Sequence, residues 1–158
     1  MHRRTIIATP LLLGLPAWAH HGWSSFDQTR PLYLEGMVAQ VAWRNPHVEL
    51  KLDLPADGLR LPADLAARGL PAQTAPVDGP ALLKATQLPT RKDRRWEIEL
   101  APLQRMQAWG VPEIKVGDAL AMVGFTLSGE KGEAVLRVEY LFAGGKTCSD
   151  AQLLELLA

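Results

Sequence analysis

The stretch HVELKLDL, residues 47–54, sets Val48, Leu50, Leu52 and Leu54 against Glu49, Lys51 and Asp53 in strict alternation. A period of two is that of a strand with one face in a core and the other in water. It excludes a helix, whose apolar positions recur every three or four residues. The pattern is repeated along the chain. RWEIEL (95–100) puts Trp96, Ile98 and Leu100 on one side and Glu97 and Glu99 on the other. In YLEGMVAQVAW (33–43), Met37, Ala39, Val41 and Trp43 fall on one side, and Gly36 predicts a bend or bulge. The turn formers Asn45 and Pro46 join this segment to HVELKLDL as a hairpin. Two more strands follow, ALAMVGFTL (119–127) and AVLRVEYLFA (134–143), joined by the loop SGEKGE.

One helix interrupts the series. PLQRMQAWG (102–110) places Leu103, Met106 and Trp109 on one helical face, with Pro102 at its start and Gly110 as its stop. Three strands, a helix and two strands is the order of the OB barrel. The expected fold is therefore mainly β: a small five-stranded OB-like β-barrel over residues 31–148, with a helix between strands 3 and 4. Val48, Leu50, Leu52, Trp96, Ile98, Val123 and Val138 are expected to share its core. A long decorated loop, residues 55–93, separates strands 2 and 3 and holds six of the twelve prolines. PADLAARG (62–69) and PALLKAT (80–86) predict short helices in it. Its lack of strand periodicity predicts that residues 58–88 are peripheral to the barrel. SDAQLLELLA (149–158) predicts a short C-terminal helix, since Ser149 and Gln152 stand at capping-box spacing.

The first nineteen residues have the form of an export signal. Arg3 and Arg4 precede the apolar stretch Thr5–Leu15, and Ala17-Trp18-Ala19 supplies a small-x-small cleavage site. The apolar run is too short, and too broken by Pro10, Gly14 and Pro16, to span a bilayer. Cleavage after Ala19 predicts a periplasmic chain that begins at His20, with no stable membrane insertion. That chain keeps 15 basic and 17 acidic residues, a net charge of −2, which gives no electrostatic reason to seek nucleic acid. Cys148 stands alone, so the fold has no internal disulfide and must rest on its core.

AHHGWSSFD, LEGMVAQVAWRNPHVEL, WEIELAP, KVGDALAMVGF and GGKT together resemble an exported bacterial group, the domain-of-unknown-function family 6152. The His20-His21 start and the Asn45-Pro46-His47 turn are the most specific parts of the likeness. The resemblance implies a small periplasmic β-barrel and carries no assigned activity.

After cleavage three histidines remain, His20 and His21 in residues 20–30 and His47 at the hairpin tip. An N-terminal histidine can chelate one metal through its amine and its ring together. A second imidazole completes a three-nitrogen set suited to copper(II). The expected metal ligands are His20, His21 and His47, and the expected cofactor is copper. The alternative is a metal-free interaction module. Trp43, Arg44 and Asn45 gather a ring, a planar cation and an amide at one tip, a set able to hold a small ligand or an envelope protein. No nucleophile elbow, paired catalytic carboxylates, phosphate loop or zinc spacing is present, and the expectation is a binding protein rather than an enzyme.

Overall fold

The computed structural model describes residues 22–70, 77–143 and 153–155. Six strands form one sheet: β1 (Leu32–Ala42), β2 (Glu49–Asp53), β3 (Arg95–Glu99), β4 (Ala119–Phe125), β5 (Val135–Ala143) and β6 (Leu153–Glu155). Their order is β3-β2-β1-β4-β5-β6, and β3 also pairs in parallel with β5. That last pairing closes β1 to β5 into the expected five-stranded barrel.

Helix α1 (Gly79–Ala85) lies in the long connection between β2 and β3, and α2 (Leu103–Ala108) lies between β3 and β4. Pro102 caps α2 and Gly110 ends it at φ 69°. Met106 is fully buried, and Leu103 and Trp109 pack against the same cluster. The helix thus joins the core through the face that its sequence spacing marks.

Inside the barrel Leu32, Leu34, Val38, Val48, Leu50, Leu52, Trp96, Ile98, Met122, Leu136, Val138 and Leu141 form one buried cluster. The first strand departs from its expected facing. Met37 is 49 % exposed, while Val38 is buried. The register between β1 and β2 shifts between Val38 and Gln40, so Ala39 is an extra residue. A bulge of one residue exchanges the two faces of a strand. Leu32, Leu34 and Val38 point inward before it, and Val41 and Trp43 pack on the core after it. The bulge lies beyond Gly36, where a Cβ would stand 2.2 Å from the carbonyl oxygen of Asp53. Gly36 is needed for that close approach.

The connection of residues 55–93 is not peripheral. β1, β4 and β5 are apolar on both faces where Tyr33, Val123, Tyr140 and Phe142 turn outward. A strand apolar on both faces needs a cover on each. Leu65 and Leu83 of the connection supply it in a second buried cluster with these four residues, flanked by Leu70, Leu82 and Leu88. Val123 therefore belongs to this outer cluster, not to the barrel core. Arg68 stacks over Phe142 at 4.7 Å and pairs with Asp64. The returning chain is tied to β1, with the Tyr33 amide donating to the Gln87 carbonyl (2.8 Å) and the Gln87 amide to that of Pro31 (3.0 Å). The two short helices predicted in this region are present, as a 3-10 turn at Leu65–Ala67 and as α1.

At the C-terminus Leu153–Glu155 is a strand where capping-box spacing predicts a helix. The rest of 149–158 lies outside the described residues. β3 pairs with β5 only over Val135–Arg137, and β6 pairs with Tyr140–Phe142 further along. Backbone groups on a strand edge require partners, and that demand overrides a local helical signal.

Leu83→Ala should destabilise the protein by about 2–4 kcal/mol, the range for a fully buried leucine. Urea unfolding measures it. A loss under about 0.5 kcal/mol, the scale of an ordinary surface substitution, would mean that the outer cluster adds nothing to the fold.

Candidate functional site

The outer face of β2 and β3 lies between two loops, the hairpin tip 43–48 and the β4–β5 connection 126–134. Its side chains come in opposed rows, because β2 and β3 pair antiparallel with Glu49 opposite Glu99, Lys51 opposite Glu97 and Asp53 opposite Arg95. Two rungs carry opposite charges. Arg95 donates two hydrogen bonds to Asp53, which hold the Asp53 carboxyl below its ordinary range. Lys51 stands 3.8 Å from Glu97.

The Glu49–Glu99 rung pairs like charges, which is destabilising unless a cation intervenes. Arg137 intervenes from β5, beside Glu99, donating Nε (2.9 Å) and Nη2 (2.7 Å) to one carboxylate oxygen. The other side of its guanidinium lies 4.4 Å from the ring of Phe26. Burial raises the pKa of Glu97; Lys51 opposes the rise, and Glu49, Glu133 and Glu99 add to it. A shallow groove of about 80 Å³ runs between β1 and β2, with Gln40, Ala42, Glu49, Lys51 and Glu97 in its walls.

At the hairpin tip, Trp43 is half-buried against the barrel core, and Arg44 and Asn45 are exposed. Trp43 thus serves the core with part of its ring and leaves part at the surface. The Asn45–Pro46 peptide is cis. His47 is half-buried beside Val48, which is tied to β3 and its continuation through Leu100 and Ala101. Trp43, Arg44, Asn45 and His47 therefore share one loop, as the hairpin predicts. His20, His21 and Cys148 lie outside the described residues. Among the described residues no group of three or more His, Cys, Asp or Glu is placed to hold a metal ion.

The segment before β1 is anchored at its described start. Phe26 is buried with Phe125 and Val135 and bridges to Leu127, and the Asp27 amide donates to the Thr126 carbonyl at 2.9 Å. Glu130, in the β4–β5 loop, gathers three parts of the chain. It accepts from the backbone amides of Thr90 and Arg91 and pairs with Arg30. Arg91 in turn donates to the carbonyls of Glu130, Gly132 and Glu133. The Glu130 side chain is only 4 % exposed. Burial works to raise its pKa, but the hydrogen bonds from Thr90, Arg91 and Arg30 outweigh it and hold the value at about 2. This hub has no local sequence signal, since Glu130 lies 39 to 100 residues from the groups it binds.

The sign of the resulting pH dependence follows from linkage. The folded carboxyl is more acidic than the unfolded one, so its contribution is present above pH 4.5 and is lost as pH falls toward 2. It is worth on the order of 3 kcal/mol. Glu130→Gln should lower the unfolding free energy at pH 7 and flatten its decline between pH 4.5 and 2. Urea midpoints across that range measure it, and parallel curves for the two proteins would contradict the assignment.

A family model described as a family of unknown function, DUF6152, matches residues 10–60. No curated protein and no solved structure matches the chain. The resemblance to this family thus rests on β1, the hairpin tip, β2 and the segment before them, the stretch that also carries all three candidate histidine ligands.

Proposed function

We propose that this is an exported, periplasmic binding protein that takes copper(II) through an N-terminal histidine site made by His20 with His21 or His47. His20 supplies the α-amine and a ring nitrogen. His21 or His47 completes the nitrogen set, the type that copper(II) favours. The observation that supports His47 as a partner is the contact series Phe26–Arg137–Glu99–Glu49. It runs around the outside of the barrel over two strand spacings, roughly 10 Å. His47 stands two residues before Glu49. From Phe26 back to His20 are six residues, which reach up to about 20 Å when extended. By that path the segment before Phe26 would not have to run the length of β1 to reach the hairpin tip.

A specific observation favours a second reading, a metal-free interaction module at the same tip. Arg44 and Asn45 are exposed beside the half-buried ring of Trp43, the arrangement of a small-ligand or envelope-protein contact. Nucleic acid is not proposed. The β2–β3 face carries Glu49, Asp53, Glu97 and Glu99 against Lys51 and Arg95, and it lacks the basic groove with stacking aromatics that single strands require. We propose no catalytic role for these residues.

Calorimetric titration with copper(II) tests the reading on protein that begins at His20. One tight site is expected there. A single Gly added before His20 should weaken binding sharply, and affinity should fall as pH drops through the imidazole range near ~6.5. His47→Ala decides the remaining ligand: lowered affinity assigns it to His47, and unchanged affinity confines the site to His20 and His21. Equal binding by the native and Gly-extended starts would reject the chelate and leave the metal-free module.

A further inference from the structure

We infer that the hairpin tip and α2 form one contact surface, built on Trp43, Arg44, Arg105 and Trp109, that docks an acidic segment of an envelope protein. This surface rests on the second reading above, the metal-free module at the tip, and does not depend on copper.

The two elements meet at one end of the barrel. Ala42 pairs with Glu49, so Trp43 lies across the hairpin from Val48. The Leu100 amide donates to the Val48 carbonyl at 2.9 Å, and the Val48 amide to the Ala101 carbonyl at 3.3 Å. α2 begins two residues after Ala101 and, with six residues, is roughly 9 Å long. The helix therefore starts beside the tip and stays within a short reach of it. Trp43 and Trp109 pack against the same buried cluster.

Both tryptophans are half-buried. Packing on the core fixes each ring and leaves part of it at the surface, so a partner meets it with little further ordering cost. Each ring has an exposed arginine beside it. Arg44 follows Trp43 in the chain, and the Arg105 guanidinium lies 5.8 Å from the Trp109 ring. Tryptophan and arginine are the residue types most enriched where binding energy concentrates at protein interfaces, and such residues occur in clusters.

Charge selects the partner. Neither the loop 43–48 nor residues 100–112 contain an aspartate or glutamate, whereas the neighbouring β2–β3 face carries Glu49, Asp53, Glu97 and Glu99. The tip and α2 thus bring cations and no carboxylate to this surface, and a guanidinium pairs with a carboxylate through two parallel hydrogen bonds. An anionic lipid surface is the poorer fit. Membrane docking rests on an inserted apolar face or a polybasic cluster. Here the rings are seated against the barrel core, and the two segments hold only Arg44 and Arg105 as permanent cations.

The test is fluorescence anisotropy of a short labelled peptide of alternating glutamate and tyrosine, titrated with the mature chain in the presence of a metal chelator. Binding that weakens as salt rises is expected, with none to the matching lysine–tyrosine peptide. Arg44→Glu and Arg105→Glu lie at exposed positions, where substitution costs little stability. Each should weaken binding about threefold or more, and the two together about tenfold or more. Lys84→Glu on α1 makes the same change in net charge away from this surface and should leave binding unchanged. Near-ultraviolet circular dichroism establishes that every variant is folded. Equal losses in all three single variants would mean a general charge effect and would overturn the inference, as would no binding of the acidic peptide. Loss with Arg44→Glu but not Arg105→Glu keeps the tip as a contact site and overturns the surface shared with α2. Peptide binding that neither arginine variant changes removes the tip reading itself. Arginine-dependent binding to phosphatidylglycerol vesicles, without binding of the peptide, assigns the surface to lipid and likewise overturns the inference.

Discussion

β3 and β5 run parallel, with Glu97 beside Val135, Ile98 beside Leu136 and Glu99 beside Arg137, and this short pairing closes the sheet. Every other pairing in the barrel is antiparallel. Parallel neighbours require a crossover rather than a hairpin. The crossover here is α2 with β4, and it carries Met106 into the barrel core on the way. Closure also removes two long sheet edges that would otherwise invite pairing with other chains. Without it Arg137 would not meet Glu99, the like-charged Glu49–Glu99 rung would lack its cation, and Phe26 would lose its platform.

A five-stranded barrel has an outside as well as an inside, and here much of the outside is apolar. Tyr33, Val123, Tyr140 and Phe142 face outward from three adjoining strands. The proline-rich connection between β2 and β3 is the layer that covers them, and Glu130 pins its far end. That carboxylate is bonded to Thr90 and Arg91 where the connection ends and to Arg30 where the N-terminal segment ends. A single buried acid thus ties the cover, the β4–β5 loop and the approach to β1 together. The same arrangement makes residues 55–93 part of the fold despite their lack of strand periodicity.

The candidate site divides along similar lines. The hairpin tip is local, with Trp43, Arg44, Asn45 and His47 inside five consecutive residues that the turn formers mark in the sequence. The β2–β3 face is semi-local: its alternating charges are visible in HVELKLDL and RWEIEL, but which charge opposes which depends on register. Had β3 been displaced by two residues, Glu97 and Arg95 would face different partners and the ion-pair rungs would be lost. The anchor of the N-terminal segment is wholly non-local. Phe26 and Arg137 are 111 residues apart, and nothing near either one marks the other.

What the amino-acid order determined by itself was the set of elements: five strands from their two-residue period, α2 from its three-to-four-residue spacing, and hence the OB-like order. Those signals are local, and local geometry enforces them. Burial of Trp96 and Ile98 on β3 and of Met106 on α2 followed directly. The tertiary structure decided the rest. It inserted Ala39 as a bulge and so turned Met37 outward and Val38 inward, because the strand must bend to serve both β4 and β2. Val123 went to an outer core, since β4 is covered on two sides. At Leu153–Glu155 strand replaced the expected helix, because part of the β5 edge lay beyond the reach of β3. In each case a long-range demand, for an open edge to be paired or an apolar face to be covered, outweighed a preference of a few neighbouring residues.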